Sequence, residues 1–132
     1  LEVGDSHVLR DPRRGGLATT LNEIAGQSGV VCMLEEAHIP LHDAVRSGCD
    51  VLGLDPLYLA NEGKLLCFLP EEKAEAALAV MRSDPHGGEA ARIGTVYAPE
   101  TPSRPGQVIL KTPIGGKRLL SMLEGDQLPR IC

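Results

Sequence analysis

The chain has 132 residues, 42% of them hydrophobic and 23% charged, with a formal net charge of −5. That is the composition of one globular domain, able to bury about two-thirds of its unfolded surface without disulfide or metal staples. The acidic balance argues against coating nucleic acid or an anionic membrane, and one Phe, two Tyr and no Trp leave little to stack bases on. No apolar run approaches the roughly 20 residues that span a bilayer, and no basic-plus-apolar signal segment opens the chain.

Residues 1–16 form a polar lead-in that ends in a loop at Pro12 and Gly15-Gly16. Leu17, Leu21, Ile24 and Ala25 then recur at helical spacing, and Gly26 to Gly29 end that helix. Val30–Leu34 is a short apolar run of the kind that makes a buried strand. After Pro40, a short helix is expected over His42–Ser47, stopped by Gly48. Asp55-Pro56 opens a loop or short helix through Leu59, and Asn61-Glu62-Gly63 is a tight turn. Lys64–Leu69 is expected as a strand. Glu71–Arg82 is the clearest helix, with Pro70 just ahead, acids in its first turn and Ala74, Leu78 and Met81 on one face. Asp84–Gly88 is a turn. Ala91–Ala98 and Gln107–Thr112 are strands joined by a Pro-rich loop, and Lys117–Leu123 is a last element. Helices interspersed with strands point to an α+β or α/β sandwich.

Of the four cysteines, Cys32 lies in VVCML and Cys67 in LLCFL, settings suited to buried free thiols. The chain is neither Cys-dense nor loop-rich, so a disulfide framework is not expected, and a reducing cytoplasm is the natural compartment. His38 and His42 lie four apart, but Pro40 breaks any shared helical face and further ligands at metal spacing are missing, so no metal site is assigned. His7, His86 and the Glu71-Glu72-Lys73 run read as solvated.

Two loops carry candidate chemistry. Asp11-Pro12-Arg13-Arg14-Gly15-Gly16 stands directly before a helix. Paired glycines allow close approach of backbone N–H groups, a helix start carries partial positive charge, and two arginines offer bidentate phosphate donors. The alternative is an ordinary Gly-rich turn with a capping aspartate. In the second loop, Asp55 and Glu62 are carboxylates on turns between apolar stretches. Glu62 would serve as a general base if desolvated, with Asn61 and Lys64 beside it, and Lys64 would pair with it or with a phosphate; a solvated turn is the alternative.

The terminal residues Leu128-Pro129-Arg130-Ile131-Cys132 set a thiol on a segment that Gly125 and Pro129 keep out of helix and central strand. Extended, Glu124–Cys132 reaches about 30 Å. Its own α-carboxylate disfavours the thiolate, so a carrier arm fits better than a redox thiol; a frayed tail that happens to end in Cys is the alternative.

DPRRGGLATTLNEIA, LGLDPLYLANEGK and the terminal PRIC together resemble the HypE family of hydrogenase expression/formation proteins, over roughly Val8 to Cys132. The Gly-Gly loop is shared with a wider superfamily that includes aminoimidazole ribonucleotide synthetase, selenophosphate synthetase and thiamine-phosphate kinase. The resemblance implies an α+β, three-layer α/β/α fold with a mixed sheet, of the aminoimidazole ribonucleotide synthetase-like C-terminal type. It implies three parts: a lead-in and Gly-rich loop over 1–16, an α/β domain over 17–123 and a flexible tail over 124–132. It also implies an ATP-dependent carbamoyl dehydratase of nickel–iron hydrogenase maturation. A carbamoyltransferase loads Cys132, the S-carboxamide becomes a thiocyanate, and the cyanide passes to iron on a scaffold complex. Cys132 and Glu62 are then the catalytic candidates, while Arg13, Arg14, Gly15, Gly16, Asn61 and Lys64 line the nucleotide or tail path. ATP and Mg would be held mainly by an N-terminal domain to which nothing in this chain corresponds, and the full-length protein would be a homodimer. Leu1 in place of a starting Met agrees with an excised domain, and such a domain alone is expected to be inactive. The competing functions are a non-catalytic docking or dimerisation module and another superfamily synthetase, which gives no reason for PRIC at the terminus.

Overall fold

The computed structural model describes residues 6–100 and 106–123. In chain order the elements are β1 (Val8–Arg10), α1 (Gly16–Ser28), β2 (Val31–Glu35), α2 (Asp43–Leu52), β3 (Leu66–Phe68), α3 (Ala74–Ser83), β4 (Gly94–Tyr97), β5 (Gln107–Lys111) and β6 (Lys117–Leu119). Short 3-10 turns lie at Glu36–His38, Pro56–Tyr58 and Glu71–Lys73. The main sheet runs β4-β2-β5-β6, with β2 and β5 parallel and both outer pairs antiparallel. A two-stranded antiparallel ribbon pairs β1 with β3, Val8 opposite Phe68. This is the α+β architecture with a mixed sheet that the sequence leads one to expect.

The core follows from strand periodicity. In the β2–β5 register Cys32 lies opposite Val108 and Leu34 opposite Leu110, so four buried side chains share one face. Ala18, Leu21 and Ala25 of α1 pack onto that face together with Leu57 and Leu120. Burying a side chain such as Leu110 contributes about 2–3 kcal/mol relative to leaving it in water. The opposite face carries Val31, Met33, Glu35, Ile109 and Lys111, only half-buried, with Lys111 Nζ 3.3 Å from Glu35 Oε1. There the helical layer is thinner: Leu78 and Arg82 of α3 line a cavity of about 560 Å³ together with Glu35 and Thr95.

Several boundaries differ from the sequence reading. The lead-in contains β1, whose three residues are too few to show a period. α1 runs through Gly26 and ends at Gly29, which takes φ 65° while the Val30 N–H returns to the Ala25 carbonyl at 3.1 Å. α2 likewise continues past Gly48 to Leu52, because an exposed helix glycine costs only about 1 kcal/mol. β3, β4 and β6 are shorter than the apolar runs that announce them, and the first turn of the Glu71 helix is 3-10. Among the described residues no helix is long and apolar enough to cross a membrane.

Candidate functional site

Both loops singled out in the sequence meet at the start of α1. The carbonyl of Arg13 accepts from the Gly16 N–H at 3.3 Å and from the Asn61 N–H at 3.1 Å. One backbone oxygen therefore ties the DPRRGG loop to the LANEGK loop. Asn61 is fixed further by its own Nδ2, which donates to the Leu59 carbonyl at 3.0 Å. Arg13 Nε donates to Asp11 Oδ2 at 2.8 Å. That hydrogen bond and the charge of Asp11 push the Arg13 pKa further up, and Glu62 adds to the effect from across the junction. The second oxygen of Asp11, Oδ1, is buried with no hydrogen-bond partner among the described residues.

The glycine pair has a packing reason. Gly16 takes φ 63°, and a Cβ there would stand 2.5 Å from the Leu59 carbonyl oxygen and 2.6 Å from that of Leu57. The start of α1 thus rests against the backbone of the Pro56–Tyr58 turn, at a distance only glycine permits. Gly15, at φ 70°, is the helix N-cap and makes no side-chain cap, so Asp11 does not cap this helix. The Gly16 N–H is spent on Arg13 and the Thr19 N–H on Gly15 at 3.2 Å, so neither is open to a phosphate. Arg13, Arg14 and Glu62 are exposed around the junction. Lys64 is exposed beyond Gly63 and makes no ion pair with Glu62 among the described residues. Cys132 lies outside the described residues.

Asp55, the other turn carboxylate, is structural. Its Oδ1 accepts from the Leu57 N–H at 3.0 Å and caps the 3-10 turn, while its Oδ2 pairs with Arg118 Nη1 at 2.9 Å. Beside that pair is a cavity of about 340 Å³ lined by Ile39, Leu41, Arg46, Leu54 and Pro56 among others, and none of residues 11–16 or 61–64 borders it. Sequence reasoning missed two polar side chains. Asn22 Nδ2 donates to the carbonyls of Ala18 at 2.8 Å and Leu120 at 2.9 Å. Tyr58 Oη donates to the Ser121 carbonyl at 2.8 Å. Burial and the nearby Asp55 charge raise the Tyr58 pKa, partly offset by Arg118. No local signal announces either residue, since their distant partners are backbone carbonyls. Cys32 and Cys49 are buried and Cys67 is half-buried, all free thiols; burial raises the pKa of Cys32 and Cys67. His42 Nε2 lies 3.6 Å from Glu89, and no three metal-ligating side chains gather among the described residues.

The profile of a family described as "AIR synthase related protein, C-terminal domain" matches residues 2–114, most of the chain. The chain belongs to that family. Carbamoyl dehydratase HypE of Azotobacter vinelandii is 54% identical over 130 residues, which cover 98% of this chain and 37% of that protein. A crystal structure of hydrogenase maturation protein HypE in complex with ATP superposes with a TM-score of 0.92 at 67% identity, over 100% of this chain and 39% of that one. A crystal structure of a HypE–HypF complex gives 0.82 at 37% identity, over 90% of this chain and 37% of that one. The chain thus spans less than two-fifths of the length of these relatives. Within this AIR synthase-related domain the junction of the two loops sits at one end of α1. It can offer a cationic rim and one exposed carboxylate to a ligand brought from outside the described residues.

Proposed function

We propose that this chain is the carrier-bearing domain of an ATP-dependent carbamoyl dehydratase that acts in the cytoplasm in nickel–iron hydrogenase maturation. The observation that carries the reading is the Arg13 carbonyl, which joins the arginine–glycine loop to the Asn61–Glu62 turn. It brings two phosphate-compatible cations and a carboxylate to one corner of a chain that ends in a cysteine. The relatives named carbamoyl dehydratase and the ATP-bound relative support the same reaction.

In this reading residues 124–132 are the carrier segment and Cys132 Sγ bears the carboxamide. An amide oxygen is a poor leaving group; ATP supplies the phosphoryl group that lets it depart as phosphate. Glu62 takes a nitrogen proton as the C–O bond breaks and the C≡N bond forms, while the other nitrogen proton passes to water. Arg13 and Arg14 attract the phosphoryl oxygens, and Asn61 and Lys64 orient the approaching tail. Gly15 and Gly16 let the loop turn tightly enough to place both arginines there. ATP and Mg are held mainly by a preceding domain, through which the longer protein forms a homodimer. The partners are a carbamoyltransferase that loads Cys132, a reading the HypE–HypF complex supports, and an iron-bearing scaffold that receives the cyanide.

The test is mass spectrometry of the C-terminal peptide of the longer protein. Incubation with a carbamoyltransferase adds a carbamoyl group, and ATP then removes one water. Cys132→Ala abolishes both signals; Glu62→Gln keeps the first and slows the second about 100-fold or more, as for loss of a general base. Hydrogenase maturation unchanged by Cys132→Ala would instead mark a docking module.

A further inference from the structure

The β5–β6 hairpin differs from the rest of the chain in its charge and in what it exposes. From Gly106 to Leu123 the chain carries Lys111, Lys117 and Arg118 and no Asp or Glu, although its formal net charge is −5. Lys111 and Lys117 lie directly opposite each other across the antiparallel pair, where like charges are destabilising. Glu35 is 3.3 Å from Lys111 and Asp55 is 2.9 Å from Arg118, but Lys117 makes no ion pair among the described residues. One cation therefore stands beside the hairpin tip at a position the strand pair alone would disfavour.

The tip itself is stiff. The Gly115 N–H donates to the Thr112 carbonyl at 3.0 Å, which closes a turn with Pro113 and Ile114 at its centre. The Thr112 N–H donates to the Gly116 carbonyl at 2.8 Å, and Thr112 Oγ1 donates to the same oxygen at 3.2 Å. Pro113 fixes its own φ, and Gly115 takes φ 87°, where a side chain would be strained. The turn holds Ile114 outward at 96% exposure, the highest of the large apolar side chains among the described residues. A single exposed apolar side chain is ordinary on a protein surface. A β-branched one, fixed by a proline turn and flanked by an unpaired lysine, is a contact whose ordering cost is already met.

We propose that this hairpin is a docking prong for the carbamoyltransferase, which receives Ile114 in an apolar pocket rimmed by carboxylates that meet Lys117. The proposal rests on reading a carbamoyltransferase as the partner. Such a partner is met by a relative 37% identical to this chain, in the HypE–HypF complex. The chemistry of the site on the transferase follows from the prong. A rigid convex tip needs a concave surface, the branched side chain of Ile114 needs an apolar floor, and an unpaired lysine beside it needs acids at the edge. Lys117 would speed and orient the encounter, and Ile114 would hold it.

The experiment measures binding of the longer protein to the transferase by surface plasmon resonance at low and high salt. Ile114→Asp should raise Kd about 30-fold, the scale of an interface hot spot. Lys117→Glu should weaken binding severalfold, mainly through slower association, and should flatten its salt dependence. Both side chains are exposed, so the unfolding temperature of each variant should stay within about 2 °C of wild type. Wild-type affinity in both variants overturns the proposal. So does weaker binding that comes with a drop of several degrees in unfolding temperature, because the tip then packs inside the longer protein. Weaker binding with a changed sedimentation coefficient overturns it too, because the tip then joins two copies. If the wild-type protein does not bind the transferase at all, the functional reading falls together with the prong. If it binds and the variants bind equally well, the prong alone falls.

Discussion

Gly16→Ala should be among the most damaging single-methyl additions in the chain, and its cost can be worked in two parts. The backbone there is left-handed, φ 63°, which costs a non-glycine residue about 1–2 kcal/mol. The new methyl would also stand 2.5 Å and 2.6 Å from two carbonyl oxygens of the Pro56–Tyr58 region, so α1 must back away by a few tenths of an ångström or more. Overpacking of that kind costs about 1–3 kcal/mol. The sum, about 2–5 kcal/mol, is a large share of the 5–15 kcal/mol that holds an ordinary domain together. Gly29→Ala is the built-in control. It has the same left-handed backbone, φ 65°, but nothing within 4 Å of its added carbon, so it carries only the first part. Urea unfolding of both variants followed by circular dichroism separates the two terms. Gly16→Ala should lose about 1–3 kcal/mol more than Gly29→Ala. Equal losses would refute the idea that contact with the 3-10 turn, rather than the turn of the loop itself, demands glycine at position 16.

Three further outcomes are expected. Leu110→Ala, at a fully buried position in the middle of the sheet, should cost about 2–5 kcal/mol in the same unfolding assay. Arg118→Ala should cost no more than about 1 kcal/mol, because its pair with Asp55 is half exposed on the arginine side, and a salt titration should shrink the difference. Cys32 should resist thiol reagents until the chain unfolds, since it is 2% exposed and burial raises its pKa. The same shift makes stability pH-dependent in one direction. Below the ordinary thiol range, about 8.5, both states keep the proton and the contribution is whole. Above it the unfolded thiol ionises first, so stability falls as pH rises, and Cys32→Ala should flatten that slope in unfolding curves taken between neutral and alkaline pH.

The elements that build the core were legible because their residues repeat. Leu17, Leu21 and Ala25 recur at helical spacing, and Cys32, Leu34, Val108 and Leu110 sit in short apolar runs. The two loops of the candidate site were legible too, as glycines and charges at breaks in those runs. Their junction was not, since it is made by one carbonyl of Arg13 and carries no side-chain signature. β1 escaped notice for lack of length, and α2 was cut short because Gly48 costs a solvated helix too little to end it. Asn22 and Tyr58 escaped for a different reason: their partners lie 98 and 63 residues away, and a backbone carbonyl looks the same at every position.

The parallel pairing of β2 with β5 also bears on how the molecule is made. Val31 waits for Gln107, so the two central strands cannot meet until most of the chain has left the ribosome. Closing so long a loop is paid in entropy before the core rewards it, which places assembly of the sheet late in folding. β6 and the buried Leu120 come later still. A chain cut before β6 therefore loses more than an edge strand: it lacks the buried Leu120 that shares the core cluster with Leu21 of α1.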